Sequence, residues 1–405
     1  MRITIAAVSL LALAACGFNG TDRNASQADE TTGSTSPQRD SLSDTMASRD
    51  GQTVAGDIPD SEQRPIMQAQ VVLDRVGFGP GVVDGKMGMS TVNAIEGFQE
   101  SRGLTVTGKL DEATTQALAQ WKSIPATRVV TIPADWGQET YYAIPEEAAD
   151  QAKLERLGYV SLDERLAERF HTTVETLQAL NPGGRPAGAP AQTGSATPAM
   201  SQTATPPAEP RASGTGSLTP QPGPQSVFKP GQQIRVPNIG ADKIERGKVE
   251  DENWQRTLAA LGVGTEQPKA ARIVVSKSEN TLKAYDEADK LTALFTVSSG
   301  SSRFPLPLGT WEINGKSFNP DFAFDPALLE GVDESAGKHQ LPPGPNNPVG
   351  VVWIDLSKEH YGIHGTPEPT TIGRAQSSGC VRLTNWDAAR LAQMVSGSTT
   401  VEFVA

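Results

Sequence analysis

The sequence has few cysteines, few aromatic residues and too little positive charge to balance its acids. Its 405 residues include two cysteines and 5% aromatics, and 35 Lys and Arg stand against 47 Asp and Glu, a net charge of -12. Nucleic-acid phosphates require a basic surface, so this balance argues against a nucleic-acid partner. It also makes the chain a poor match for anionic membrane surfaces.

Long hydrophobic runs are absent beyond the first sixteen residues. Residues 3–13 form a short apolar run after Arg2, below the roughly 20 residues that a bilayer span needs. The run ends in small residues and Cys16, which is typical of an export signal at residues 1–16. This junction also resembles a bacterial lipoprotein lipobox, which implies cleavage before Cys16 and lipid attachment to its sulfur. A plain signal peptide with a chance cysteine is the alternative.

A lipidated Cys16 would leave Cys380 without an intramolecular partner. Exported proteins usually pair their thiols in an oxidising compartment. A lone thiol there is either buried and inert or retained for chemistry, and the residues around Cys380 have to decide between the two.

Two stretches of the chain have the composition of unpacked segments. Residues 17–60 are rich in Ser, Thr, Asp, Gly and Gln, which predicts a disordered tether. Residues 183–226 are rich in Pro, Ala and Gly, and predict a flexible insertion within a connector at 123–250. The two pieces that flank the insertion are similar to a LysM glycan-binding module; a family-specific helical connector is the alternative. His171, in this connector, is expected at the surface.

Residues 61–122 contain three apolar stretches with helical spacing, separated by glycine-rich turns. Asp111 is placed to cap the third helix. The glycines, apolar and polar residues that define the pattern are Leu73, Gly77, Asp84, Gly85, Gly88, Thr91, Ala94, Phe98, Gln99, Gly103, Leu104, Gly108 and Thr114. Their spacing resembles peptidoglycan-binding domain 1, which implies recognition of cell-wall peptide or glycan. The alternative is that these residues only build a small helical core.

Residues 270–405 alternate between short β-branched runs and Gly/Pro turns, which predicts a mainly β domain. One helix is expected near its end, capped by Asn385 or Asp387. The expected architecture is therefore multidomain, with a small three-helix domain followed by a mainly β domain.

The segment around Cys380 contains the residue types that thiol catalysis requires. The thiolate is the attacking species, and a nearby imidazole can take the proton and lower the thiol pKa; we choose His364 as that base. Gly379 allows adjacent N–H groups to converge on an oxyanion, or it is a simple turn glycine. His360 and His364 have metal-like spacing, but their strand context argues against zinc.

The segment 363–387 contains a dense motif made up of His364, Gly365, Thr366, Ile372, Gly373, Ser377, Gly379, Cys380, Val381, Arg382, Leu383 and Asn385. This motif resembles the signature of the L,D-transpeptidase catalytic domain, also called the YkuD domain. The resemblance implies a β-sandwich in which Cys380 attacks the third residue of a peptidoglycan stem, releases the terminal D-Ala and forms a thioester. It implies that His364 shuttles the proton, that the Gly365 carbonyl orients the imidazole, and that no metal or cofactor takes part.

Three further residues are assigned to substrate binding: Arg382, Ser378 and Tyr361. Many members of the family carry His where this chain has Ser378, so a second-histidine role cannot be carried over. Arg382 is suited to a substrate carboxylate, and a structural hydrogen-bonding role is equally compatible with its position.

The sequence thus predicts a cysteine-dependent acyltransferase that forms 3→3 cross-links or attaches another amine. The alternatives are an L,D-carboxypeptidase or hydrolase of the same substrates, and a non-catalytic anchoring lipoprotein. Expected partners are peptidoglycan stem peptides and glycan, with carbapenems acylating Cys380. Gly17 is not the aspartate that retains lipoproteins in the inner membrane, so we expect a periplasmic protein held at the outer membrane of a Gram-negative bacterium through lipidated Cys16.

Overall fold

The computed structural model describes residues 58–190, 221–240, 243–245, 247–329, 332–375, 377 and 379–405. The predicted signal sequence with Cys16, most of the predicted tether and insertion, and Ser378 lie outside these residues. The described residues all fall within one compact unit of the chain. None of the helices in these ranges combines the length and the apolar character needed to span a bilayer.

The N-terminal domain is built from three helices, as predicted. They are α1 (Pro65–Arg75), α2 (Met89–Ser101) and α3 (Glu112–Leu118). Asp111 caps α3, because its Oδ1 accepts the Thr114 N–H at 2.9 Å. Apolar side chains on the inner faces, including Leu73, Ile95 and Phe98, form the core of this domain.

A two-residue strand, β1 (Phe78–Gly79), joins this domain to the catalytic sheet, which the sequence did not predict. It pairs in parallel with β6 (Leu291–Thr296), and Leu291 and Leu294 complete the helical core. So short a strand carries no alternation of its own, and only the partner sheet defines it.

The connector forms a strand–helix–helix–strand module. The strand β2 (Thr127–Thr131) pairs antiparallel with β3 (Gln233–Pro237). The two helices of the module are α5 (Leu162–Arg169) and α6 (Val174–Leu180), and a short additional helix, α4 (Ala148–Gln151), precedes them. Ser161 and Thr173 cap α5 and α6 by accepting main-chain N–H groups, so local sequence determines where both helices begin.

His171 follows α5 and is buried, so the expectation of a surface position was wrong. Its ring stacks on Trp386 with centroids 4.8 Å apart, and Nε2 faces the Leu261 carbonyl at 2.9 Å. The polar sequence around it gives no sign that this turn enters a junction between three parts of the chain.

The C-terminal domain consists of two sheets packed face to face, with α7 (Glu252–Leu261) and α8 (Asn385–Met394) against them. Besides β1 and β6, its strands are β4 (Arg272–Ser276), β5 (Thr281–Tyr285), β7 (Gly309–Trp311), β8 (Ile313–Phe318), β9 (Phe322–Phe324), β10 (His339–Leu341), β11 (Val352–Leu356), β12 (Gly362–His364), β13 (Val381–Arg382) and β14 (Thr400–Val404). One sheet has the strand order β1-β6-β5-β4-β14-β7, and the other the order β13-β12-β11-β8. A small hairpin pairs β9 with β10.

The cap of α8 differs from the prediction. Thr384 is the capping residue, because its Oγ1 accepts the Asp387 N–H at 3.1 Å. Asn385 is therefore the first residue of the helix, and its buried side chain is free to bond elsewhere.

A buried ion pair ties α1 to α8. Arg390 Nη1 and Nη2 lie 2.9 and 3.0 Å from the two carboxylate oxygens of Asp74. Burial alone would raise the pKa of Asp74, but the Arg390 guanidinium and His171 outweigh it and hold that pKa well below its usual range.

Candidate functional site

Two short parallel strands bring the predicted catalytic residues together. The strand β12 ends in His364, which lies opposite Arg382 of β13, while Ile363 lies opposite Val381. Ile363 and Val381 are fully buried in the core, so His364 and Arg382 share the other face of the sheet. Cys380 immediately precedes β13 and is the free cysteine of the described residues.

The imidazole of His364 is held in one orientation. Its Nδ1 lies 2.7 Å from the Gly365 carbonyl oxygen, and its ring stacks on Trp353 with centroids 5.5 Å apart. A carbonyl can only accept a hydrogen bond, so Nδ1 carries the proton and Nε2 presents its lone pair. This is the tautomer that a general base needs.

The Cys380 sulfur lies at the start of β12. The thiol donates to the His360 carbonyl at 3.7 Å rather than to the imidazole, and the side chain is partly exposed. A substrate can therefore reach the sulfur. Catalytic hydrogen bonds often tighten only when substrate binds.

Both reacting groups are neutral at rest. Burial raises the pKa of the Cys380 thiol, although the Gly362 backbone and Arg382 oppose the shift. Burial lowers the pKa of His364 to about 4, against the Gly365 carbonyl and with help from Arg382. The thiol pKa thus moves opposite to the sequence-based expectation, because both groups lie where charge is poorly solvated.

Gly379 turns the chain directly before the nucleophile. Its φ is +103°, and a Cβ there would lie 2.7 Å from the ring of Tyr361. Tyr361 is partly buried, and its hydroxyl donates to the Pro305 carbonyl at 3.4 Å. Glycine is thus required here both by conformation and by space.

Arg382 lies within electrostatic reach of both Cys380 and His364, and its own pKa is lowered by burial, with Glu368 opposing. Its main chain exchanges two hydrogen bonds with Ser298, which anchors β13 to the end of β6. Ser378, assigned to substrate binding with it, is outside the described residues, and so is the lipidation candidate Cys16.

Three contributors to this site were not predicted: the Trp353 ring, the His360 carbonyl and the side-chain oxygen of Asn385. Asn385 Oδ1 packs so closely on Gly365 that a Cβ on that glycine would lie 2.3 Å from it. The motif match included Asn385 but gave no role for it. The His360 carbonyl is a main-chain atom and leaves no trace in a residue pattern, and the two side chains reach the site only through tertiary contacts.

Among the residues that the structure describes, no group of three or more His, Cys, Asp or Glu side chains is arranged to hold a metal ion. The imidazole of His360 is exposed and faces Glu359 at 3.5 Å, whereas His364 is buried.

Two segments of the chain match known protein families. Residues 270–403 match the YkuD family, described as "L,D-transpeptidase catalytic domain", and residues 62–118 match the family described as "Putative peptidoglycan binding domain".

Curated relatives align with part of the chain. It is 34% identical over 130 residues to "Putative L,D-transpeptidase YkuD" of Bacillus licheniformis, covering 32% of this chain and 63% of that protein. It is 29% identical over 136 residues to "Probable L,D-transpeptidase YbiS" of Escherichia coli, covering 33% of this chain and 44% of that protein. The chain thus spans less than two thirds of the length of these relatives.

A solved L,D-transpeptidase from Mycobacterium smegmatis overlaps 33% of this chain and 58% of its own, at 22% identity and a TM-score of 0.28. A score this low adds nothing to the sequence matches. Those matches confirm both resemblances: the chain carries a YkuD-family L,D-transpeptidase catalytic domain at residues 270–403, preceded by a domain of the peptidoglycan-binding family at residues 62–118.

Proposed function

We propose that this protein is a cysteine-dependent L,D-transpeptidase that acylates itself at Cys380 with a peptidoglycan stem peptide and passes the acyl group to an amine. The observation that carries the proposal is the hydrogen bond from His364 Nδ1 to the Gly365 carbonyl, which leaves Nε2 as an acceptor beside the strand that Cys380 precedes. A histidine with a purely structural role would be expected to use both ring nitrogens in hydrogen bonds, rather than to leave Nε2 as an acceptor near a partly exposed thiol.

The first half-reaction forms the thioester. The Cys380 sulfur attacks the carbonyl carbon of the third stem residue as its proton passes to His364 Nε2. The resulting oxyanion accepts hydrogen bonds from main-chain N–H groups of the Gly379–Cys380 turn, where the positive φ of Gly379 redirects the main chain. The C–N bond then breaks, the imidazolium returns its proton to the departing D-Ala amine, and the thioester remains.

The second half-reaction regenerates the thiol. His364 removes a proton from an incoming amine, whose nitrogen attacks the thioester carbonyl and displaces the sulfur, which takes the proton back. An amine from another stem gives a 3→3 cross-link, and water in its place gives a shortened stem. The thioester conserves the energy of the original bond, so the exchange requires no nucleotide.

The other parts of the chain suit a protein that works at the cell wall. The peptidoglycan-binding domain is joined to the catalytic sheet through β1, which would keep bound wall material near the site. We propose that the strand–helix–helix–strand connector is a LysM-like module that adds a glycan contact. Export and lipid attachment at Cys16 complete this proposal and place the protein in the periplasm.

Purified tetrapeptide-stem muropeptides, with product masses measured, test the activity. Cross-linked dimers with released D-Ala are expected from the wild type, and none from Cys380→Ala or His364→Asn. The matched control is His339→Asn, since His339 lies on the small β9–β10 hairpin, where its Nε2 faces the Ala336 carbonyl at 2.9 Å and its ring centroid is 6.4 Å from that of Phe324. Tripeptide monomers without dimers would identify a carboxypeptidase instead, and turnover by Cys380→Ala would overturn the mechanism.

Carbapenems provide an independent test of the nucleophile. Their strained lactam is an acyl donor, so the intact-protein mass should increase by the mass of one carbapenem in the wild type and stay unchanged in Cys380→Ala. In a separate pull-down, Cys380→Ala should still be retained on insoluble peptidoglycan, which would separate wall binding from catalysis. A wild-type protein without an adduct would count against an accessible, activated sulfur.

A further inference from the structure

The connector docks directly onto the catalytic domain beside the active site. Its docking segment, residues 157–168, contacts a proline-rich loop, residues 342–347. Leu157 N donates to the Pro343 carbonyl at 2.9 Å, and Asn346 N donates to the Leu157 carbonyl at 3.0 Å. Asn346 Nδ2 adds bonds to the Gly158 carbonyl at 2.9 Å and to Glu164 Oε1 at 3.1 Å. The interface is thus a continuous network of hydrogen bonds.

Glu168, at the end of this segment, reaches the first residue of α8. Asn385 Nδ2 donates to Glu168 Oε1 at 2.7 Å and to the Pro345 carbonyl at 3.1 Å. Both hydrogens of the amide are thereby used, so the amide cannot rotate without losing a buried bond. Its oxygen is left facing the Val351 N–H at 3.3 Å.

The oriented amide oxygen packs against the backbone that carries the acceptor of the catalytic imidazole. A Cβ on Gly365 would lie 2.3 Å from Asn385 Oδ1, and a Cβ on Gly350 would lie 2.0 Å from it. Such close approach allows little movement of Gly365, whose carbonyl receives the His364 Nδ1 proton. A displaced carbonyl would release both the ring orientation and the tautomer.

We propose that Glu168 is a positioning residue for the base: from the connector it holds the Asn385 amide against Gly365, and so keeps His364 in the tautomer with Nε2 free. This inference rests on the proposed function for its kinetic consequence, but not for its structural one. The connector then has a role at the active site in addition to any contact with the wall. Loss of the contact displaces the base, and a misplacement of about 1 Å can lower a rate by up to roughly 100-fold.

Three variants of the full-length chain test the role. Glu168→Met keeps the volume and removes the acceptor, so the cavity and the packing defect stay small. Glu168→Gln keeps an acceptor oxygen at the same position and should therefore retain the wild-type acylation rate and His364 tautomer. Glu175→Met is the matched control, because Glu175 belongs to the same module but is exposed on α6.

Two readouts are needed. The first is the acylation rate with a carbapenem at increasing concentration, which separates the maximal rate from the concentration at half-maximum. Glu168→Met should lose about 10- to 100-fold in the maximal rate with little change in the half-saturating concentration, because the base is misplaced and the binding surface is intact. Glu168→Gln and Glu175→Met should stay within about twofold of the wild type.

The second readout is the ¹⁵N spectrum of histidine-labelled protein, with His364 assigned by loss of its signal in His364→Asn. The wild type should show a protonated Nδ1, and Glu168→Met a mixture of tautomers. A folded Glu168→Met with the wild-type tautomer and rate would overturn the proposal, and so would Glu168→Gln being as slow as Glu168→Met. If the wild type is not acylated, the proposed function fails, while the spectrum still decides whether Glu168 orients His364.

Discussion

At the scale of single residues, the site combines a neutral thiol with a neutral imidazole. Gly365 and Gly379 leave space for the close approach of Asn385 Oδ1 and of the Tyr361 ring, respectively. Main-chain atoms shape the site, since the Gly365 carbonyl sets the tautomer of His364 and the turn at Gly379 directly precedes Cys380. An arrangement of this kind depends on small distances, so single substitutions should have large effects.

Gly379→Ala should slow acylation strongly. Its Cβ would add the strain of a positive φ to a 2.7 Å approach to the Tyr361 ring, and either the turn or the ring must move. The positive φ alone costs about 1 kcal/mol. Gly231→Ala is the control, since its φ is +78° with nothing within 4 Å of the added Cβ. Carbapenem acylation rates of the two variants should differ, and equal rates would show that the turn is not critical.

The pH profile of acylation should reflect a base that stays neutral through most of the range. His364 has a pKa of about 4 because it is buried, so the rate should be level near neutrality and fall as the pH drops through about 4. Stopped-flow measurement between pH 3.5 and 8, with folding checked by circular dichroism at each pH, measures this. A midpoint near 6.5, the usual value for His, would mean that the imidazole is better solvated than its contacts indicate.

At the scale of elements, the helices begin where local signals place them, and contacts between elements decide what their side chains do. Thr384 caps α8 and so turns Asn385 inward, where it meets α5. This contact buries the carboxyl of Glu168 between the two helices. The titration of Glu168 should therefore be visible in the pH dependence of the free energy of unfolding.

Glu168→Gln should flatten the dependence of stability on pH. Burial raises the pKa of Glu168 from 4.5 to about 7, although Tyr159 and Asn385 oppose the shift. The folded protein therefore holds a proton that the unfolded chain releases, so this residue's contribution favours folding below about pH 4.5 and is lost as the pH rises to about 7. Urea unfolding of the wild type should show a steeper loss of stability between pH 5 and 7.5 than unfolding of Glu168→Gln. Parallel curves would indicate an ordinary carboxyl pKa.

At the scale of the whole described chain, the parts are joined through buried contacts. The helix α1 is tied to α8 by Asp74 and Arg390, His171 of the connector stacks on Trp386 of α8, and β1 extends the catalytic sheet. The binding domain, the connector and the catalytic domain should therefore unfold together rather than one by one.

Arg390→Met tests this coupling. It leaves the buried Asp74 carboxylate without its guanidinium partner, which typically costs about 3–5 kcal/mol. Lys153→Ala is the control, because its ion pair with Asp150 is exposed, and such pairs are worth about 0–1 kcal/mol. Unfolding in urea should show the difference. The double variant Asp74→Leu/Arg390→Met should recover much of the loss, and failure to recover would point to packing rather than charge.

The sequence by itself determined the two family resemblances, the three N-terminal helices and most strands of the C-terminal domain, because each depends on local motifs and local spacing. The strands β4 and β5, for example, coincide with β-branched or alternating runs, a signal that needs no distant partner.

Only the tertiary structure decided the rest: the pairing of β1 with β6, the burial of His171, the neutral resting state of Cys380, and the contact between Glu168 and Asn385. Each depends on residues far apart in the chain. Glu168 and Asn385 are 217 positions apart, and neither carries a signal of the other. Desolvation acts in the same way, because the surroundings that raise or lower a pKa exist only once the chain has packed.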